Sequence, residues 1–171
     1  PVAAHRAGCR LSRQVHGVHL PSQADIVIID SYHTDIDYWQ AIKAMTPADL
    51  VMKDGGIVIQ VAECPEGVAQ HHPEVLQYGY HTVRRTLEME AEGLINKSVA
   101  MHMIQASRVV VDRGTGYLIS PNISRADTER LHFHWAPTAQ AALDQALATL
   151  GPQATIAALR QAGDLLPLPE E

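Results

Sequence analysis

Apolar residues along this chain follow two rhythms: short β-branched blocks, and longer stretches in which they recur every third or fourth position. Ala24-Asp-Ile-Val-Ile-Ile29, Ile57-Val-Ile-Gln-Val61, Tyr117-Leu-Ile119 and Ala154-Thr-Ile-Ala-Ala-Leu159 belong to the first kind and predict strands, the first two buried on both faces. Between those two, Tyr38, Ala41, Ile42 and Met45 stand at i, i+3, i+4 and i+7, the stripe of a helix packed on a sheet. Thr34 with Asp37 three residues on makes a capping-box arrangement, which places the helix start at Thr34. Thr46-Pro47 ends the pattern, Pro47 to Met52 adds a further helical turn, and Asp54-Gly-Gly56 signals a turn before the second strand.

The remaining segments alternate in the same way. Ala3 to His16 is a weakly amphipathic helix, with Arg6, Arg10 and Arg13 against Ala7, Leu11 and Val15, and Gly17 is placed to stop it as a left-handed cap. Val68 to Tyr78 reads as helical, and Gly79 to Leu94 as a charge-rich solvated helix or long loop. From Asn96 to about Asp112 a helix carries Val99, Met103, Ala106 and Val110, running through Val109-Val-Val111 to a stop at Gly114. Ser124 caps a short helix to Leu131, His132-Phe-His-Trp135 is extended, and Thr138 caps a helix from Ala139 to Leu150 with Ala142, Leu143, Ala146 and Leu150 on one face. The end, Leu165-Leu-Pro-Leu-Pro169, is proline-rich.

Strands alternating with helices predict an α/β fold with three layers: a mainly parallel sheet covered by helices on both faces, Rossmann-like, over a single domain spanning 1–171. Right-handed crossovers put the loops Asp30 to Thr34 and Glu63 to Gly67 on the same sheet edge, where open α/β sheets take their ligands. With 171 residues and 46% hydrophobic composition the chain can bury one core. A net charge of -6 and no clustered Lys and Arg argue against nucleic acid as a partner. No apolar run is long enough to span a bilayer, and Cys9 and Cys64 are too few to staple a fold of this size, so a cytoplasmic protein with reduced thiols is expected. The start at Pro1, directly in a helical pattern, reads as a piece of a longer polypeptide.

Candidate chemistry is sparse. Gln40 and Lys43, at i and i+3, lie roughly opposite the core stripe with Ile36 and Trp39 beside them, either a solvated face or the wall of a cleft that Trp39 could close. Cys64 falls in the second loop but has no partner for nucleophilic chemistry visible in sequence. Ten histidines, among them the adjacent His71-His72 and the strand-spaced His132 and His134, allow a second reading: a non-catalytic module binding a metal or small ligand through a histidine-rich surface. No G-x-G-x-x-G or G-x-x-x-x-G-K-[ST] loop is present to cradle phosphates.

Taken in order, Ala-Asp-Ile-Val-Ile, Asp-Ile-Asp, Gln40-x-x-Lys-Ala44, Val-x-Lys-Asp-Gly-Gly56 and Val-Ala-Glu-Cys-Pro-Glu-Gly67 resemble the C-terminal domain of the nickel-pincer-nucleotide lactate racemase family. The opening Ala3-Ala-His-Arg-Ala-Gly-Cys9 and the Leu-Pro ending are similar too. The resemblance implies an N-terminal domain of the same polypeptide that tethers the nickel-pincer nucleotide and carries its lysine, its histidine ligand and two histidine acid/bases. It implies racemisation of a 2-hydroxy acid by hydride removal from C2 and return to either face. Gln40 and Lys43 match the family's Gln-x-x-Lys pair and are the expected catalytic residues, with Tyr32, His33 and Trp39 expected to bind substrate. Trp39 stands where the lactate enzyme has Tyr, and Tyr32-His33 replaces a glycine-containing loop, which points to a 2-hydroxy acid other than lactate. No metal ligands are expected in this chain, which should not hold nickel covalently and should be inactive alone.

Overall fold

The computed structural model describes residues 1–169. Its centre is a five-stranded, wholly parallel sheet built from β2 (Ala24–Asp30), β3 (Met52–Val61), β4 (Thr115–Ile119), β5 (His134–Trp135) and β6 (Ile156–Leu159), in the order β5-β4-β3-β2-β6. The chain steps outward from β2 to β5 and then returns to the other side of β2. The sheet therefore reverses its winding between β2 and β6.

Side chains alternate along the central strands, as the pleat requires. Val27, Ile29, Val58 and Leu118 point into the larger core, covered by α2 (Tyr38–Ala41), α3 (Met45–Val51) and α6 (Lys97–Ser107), while Ile26, Ile57, Ile59 and Tyr117 meet Ala142 and Ala146 of α8 (Ala139–Leu150) on the other face. Helices thus cover both faces, the three-layer arrangement expected from the alternation. Each large aliphatic side chain so buried contributes about 1.5–3 kcal/mol.

Several local readings are corrected. The first helix of the α/β unit starts at Tyr38, not Thr34: Asp37 is the N-cap and its carboxylate accepts from the Gln40 amide at 2.8 Å, while the Thr34 hydroxyl turns back to donate to the Ser31 carbonyl at 3.0 Å. The helical path does not stop at Pro47. A 3-10 stretch, Ile42–Ala44, leads into α3, whose first turn holds Pro47 where a missing N–H costs nothing. The Asp54-Gly-Gly56 turn signal becomes a bulge inside β3, because the register advances two positions on β2 (24 to 26) and five on β3 (52 to 57), with Gly55 at φ +79°.

Only α4 (Glu74–Tyr78) forms within the expected helix 68–78, since Gly67 and Ala69 take positive φ and Pro73 disfavours helix before it. The 79–94 region is helix α5 (Val83–Ala91), capped by Thr82 and laced by Arg84–Glu88 and Arg85–Glu92 ion pairs. α6 continues as expected to Arg113, its last turn a π-turn (Arg108–Arg113), and Gly114 is extended rather than left-handed: its place depends on close approach, because a Cβ there would lie 2.2 Å from the Gly56 carbonyl oxygen. α7 (Arg125–Arg130) is capped by Ser124 and α8 by Thr138, as read, but His132 takes φ +66°, so the extended run shortens to β5. α1 (Val2–His16) buries none of its residues, and Gly17 leaves it in extended conformation to open β1 (Gly17–Leu20). β1 pairs in parallel with β7 (Leu166–Pro169), so the proline-rich end is a strand of a separate two-stranded sheet.

Candidate functional site

The loops after β2 and β3 meet at one sheet edge, and backbone hydrogen bonds stitch them shut. The Cys64 amide donates to the Asp35 carbonyl at 2.9 Å, Glu66 to Ile36 at 3.0 Å and Tyr38 to Gly67 at 3.0 Å, while the Glu63 amide donates to the Asp35 carboxylate at 2.8 Å. Cys64 is buried inside this seam, and burial, followed by the charges of Asp35 and Asp37, pushes its thiol up to about 12. A thiol that stays protonated has no nucleophilic role.

Under the seam lies a polar network that composition does not announce. Gln60 of β3 is fully buried: its Oε1 accepts from the Tyr38 hydroxyl at 2.8 Å, and its Nε2 donates to Ser31 Oγ and to the Ala41 carbonyl, each at 2.9 Å. One side chain thereby ties α2 to β3 and to the loop leaving β2. Tyr38, Ala41, Ile42 and Met45 are all buried, as their spacing predicts, so the opposite side of this helical segment is turned outward.

On that outward side Lys43 is exposed and Gln40 half-buried, and Lys43 Nζ donates to Gln40 Oε1 at 2.6 Å. Trp39 is sandwiched between two histidine rings, His72 with centroids 3.7 Å apart and His102 at 4.2 Å and 2° from parallel. Trp39, Ile42 and Lys43 form one wall of a groove of about 210 Å³, and Ser98, Met101, His102 and Gln105, at i, i+3, i+4 and i+7 on α6, form the other. Lys43 is exposed, as both readings of this face allow, and it lines the groove together with Trp39.

His102 is a residue the sequence reading missed. It is buried, with Nε2 3.0 Å from the Tyr80 hydroxyl and its ring stacked on Trp39. Burial first, and His72 second, push it down to about 3, so the ring is neutral at ordinary pH. In the unfolded chain it titrates near 6.5, and between these limits the unfolded state binds a proton that the folded state refuses. Stability therefore falls as pH drops from about 6.5 toward 3. The Asp25 carboxylate, held well below its usual range by the Thr155 hydroxyl and by Lys53, loses its contribution only at lower pH. Urea unfolding at about pH 7 and about pH 4.5 is expected to give a lower midpoint at the acid value, and a smaller drop in His102→Gln, which keeps an acceptor for Tyr80.

Tyr32 and His33 stand elsewhere on the same carboxyl edge, on the β2 exit loop at the point where the winding reverses. Tyr32 is 60% exposed, and His33 Nε2 lies 3.4 Å from Asp164 in the segment after β6. Among the described residues no hydrogen bond, ion pair or ring contact joins these two to Trp39, Gln40 or Lys43. The histidine-rich surface does not assemble: His71 is exposed, His72 stacks on Trp39 and His134 tilts against Tyr117. Among the described residues no group of three or more His, Cys, Asp or Glu side chains converges as metal ligands would, which leaves the metal-binding module without support. No described helix is long and apolar enough to cross a membrane.

A family model described as lactate racemase C-terminal domain matches residues 20–163. A lactate racemase from Thermoanaerobacterium thermosaccharolyticum is 38% identical over 66 residues, which are 37% of this chain and 15% of that protein. The structure of the lactate racemase apoprotein from the same organism superposes with a TM-score of 0.75 at 20% identity, over 98% of this chain and 40% of that one. A crystal structure of a protein from Thermotoga maritima superposes with a TM-score of 0.66 at 16% identity, over 99% and 42%. At those identities the superpositions establish the fold. The chain spans about two fifths of the length of these solved relatives.

Proposed function

The chain belongs to the lactate racemase C-terminal domain family, and from that premise we propose that it is the substrate-side domain of a 2-hydroxy acid racemase or epimerase. An N-terminal domain of the same polypeptide would hold the cofactor and close over the Lys43 surface, and the chain alone would be inactive. The observation that carries this reading is the Gln40–Lys43 pair, held outward by a fully packed helix face. Lys43 spends one of its three N–H donors on Gln40 Oε1, and the Gln40 amide donors remain, so the pair presents a cation and several N–H groups at one spot. A 2-hydroxy acid and its 2-keto form need such donors at the carboxylate and at the C2 oxygen. Lys43 is assigned the carboxylate and Gln40 the C2 oxygen, with Trp39 beside them and Tyr32 and His33 at the outer rim of the same interdomain site.

No set of nickel ligands converges among the described residues of this chain. The nickel-pincer nucleotide would belong to the N-terminal domain and supply the hydride acceptor there. The test uses the full-length protein and an enantiopure 2-hydroxy acid deuterated at C2. The opposite enantiomer is expected to form with its deuterium retained. Exchange of the label with solvent would remove the hydride step, and a protein that interconverts no 2-hydroxy acid would remove the racemase reading.

A further inference from the structure

We propose that the groove between Trp39 and α6 receives the C2 substituent of the substrate, and that it selects a 2-hydroxy acid with an aryl or similarly large apolar substituent over lactate. The inference rests on the functional reading of Lys43 and adds the substrate class to it. Lys43 is the cation among the groove residues and opens onto it directly, so an acid held there by its carboxylate directs its substituent between the two helices. At about 210 Å³ the groove has room for roughly seven water-sized groups at about 30 Å³ each, far more than the methyl of lactate and far less than a nucleotide.

The walls match that class. Ile42 is a buried floor and Met101, 61% exposed, is an adaptable apolar rim. Both faces of the Trp39 indole are covered by histidine rings, so it meets the groove with its edge, the geometry in which one aromatic ring receives the face of another. His102 brings no charge to the wall, being neutral and hydrogen-bonded to Tyr80. Ser98 and Gln105 supply the polar groups, and Gln105 lies 3.5 Å from the Thr46 hydroxyl across the groove's end. A larger cavity, about 480 Å³ near Glu129, His132 and His134, opens at the amino ends of β4 and β5 and holds no Lys or Arg for a carboxylate.

The experiment compares 3-phenyllactate with lactate in the full-length protein, by kcat/KM and by calorimetric binding. Phenyllactate is expected to be favoured by about tenfold or more, and Met101→Trp, which fills the groove from an exposed position, to cost phenyllactate about tenfold more than it costs lactate. Met101→Ala should relax the preference for ring size without disturbing the fold. If lactate is turned over but the preference is absent, or survives Met101→Trp, the groove is not the substituent pocket and the racemase reading stands. If neither acid binds nor reacts, the groove is not the substituent pocket, and the racemase reading falls with it only when no other 2-hydroxy acid is interconverted.

Discussion

Replacing Gln60 by leucine is expected to lower the stability of the chain by about 3 kcal/mol, although the two side chains are similar in size. The residue has no access to solvent, and its amide is the hydrogen-bond partner of the Tyr38 hydroxyl, of Ser31 Oγ and of the Ala41 carbonyl. Tyr38 and Ser31 are themselves fully buried, so water cannot replace what leucine removes. A buried polar group left unsatisfied costs about 1–3 kcal/mol, and two are orphaned here, the Tyr38 and Ser31 hydroxyls, because the Ala41 carbonyl keeps its place as acceptor at the head of the 3-10 stretch; local relaxation recovers part of the sum. Tyr38→Phe, which breaks one of the three bonds and leaves only Gln60 Oε1 without a donor, should cost about 1–2 kcal/mol. Urea unfolding curves compare the two variants, and a Gln60→Leu cost under about 1 kcal/mol would mean that the network does not hold α2 in place.

That network marks the boundary of what the sequence discloses. The β-branched blocks at 24–29 and 57–61 and the stripe at Tyr38, Ala41, Ile42 and Met45 determine which faces are buried, and the structure follows them because burial dominates the energetics. Local polar choices are less legible. Both Thr34 and Asp37 satisfy a capping rule, and the contest is decided by a third residue, Ser31, whose carbonyl takes the Thr34 hydroxyl. Pro47 reads as a stop in isolation, yet the 3-10 stretch at 42–44 resets the helix so that the proline falls in a first turn. Gln60 and His102 sit inside segments whose pattern is dominated by their apolar neighbours. A glutamine in a doubly buried strand and a histidine beside a helix core stripe are signals that a partner exists. Which partner depends on tertiary contacts: Tyr38 lies 22 positions from Gln60, and Tyr80 lies 22 from His102. Of the candidate site, the Gln40–Lys43 pairing was available from helical spacing, whereas the separation of Tyr32 and His33 from it required the strand order.

Lys43→Ala in the full-length protein is expected to reduce kcat/KM by at least about tenfold, equivalent to about 1.4 kcal/mol or more of transition-state stabilisation, with stability unchanged within about 0.5 kcal/mol. The two halves of this expectation come from the same geometry. Lys43 is exposed and its one described bond is to Gln40, so truncation creates no cavity and orphans no buried group. The way the loss divides then identifies what the ammonium touches. A carboxylate carries its charge in substrate and transition state alike, so a lysine bound only there raises KM and spares kcat. An ammonium that also meets charge developing on the C2 oxygen lowers kcat itself. Because Gln40 Oε1 lies 2.6 Å from Nζ, removing the lysine also frees the amide to turn, and Gln40→Ala combined with Lys43→Ala should cost less than the sum of the two single changes. Additive losses would show that the hydrogen bond between the two side chains does not couple their action on the substrate, and unchanged kinetics in Lys43→Ala would place the reaction away from this helix.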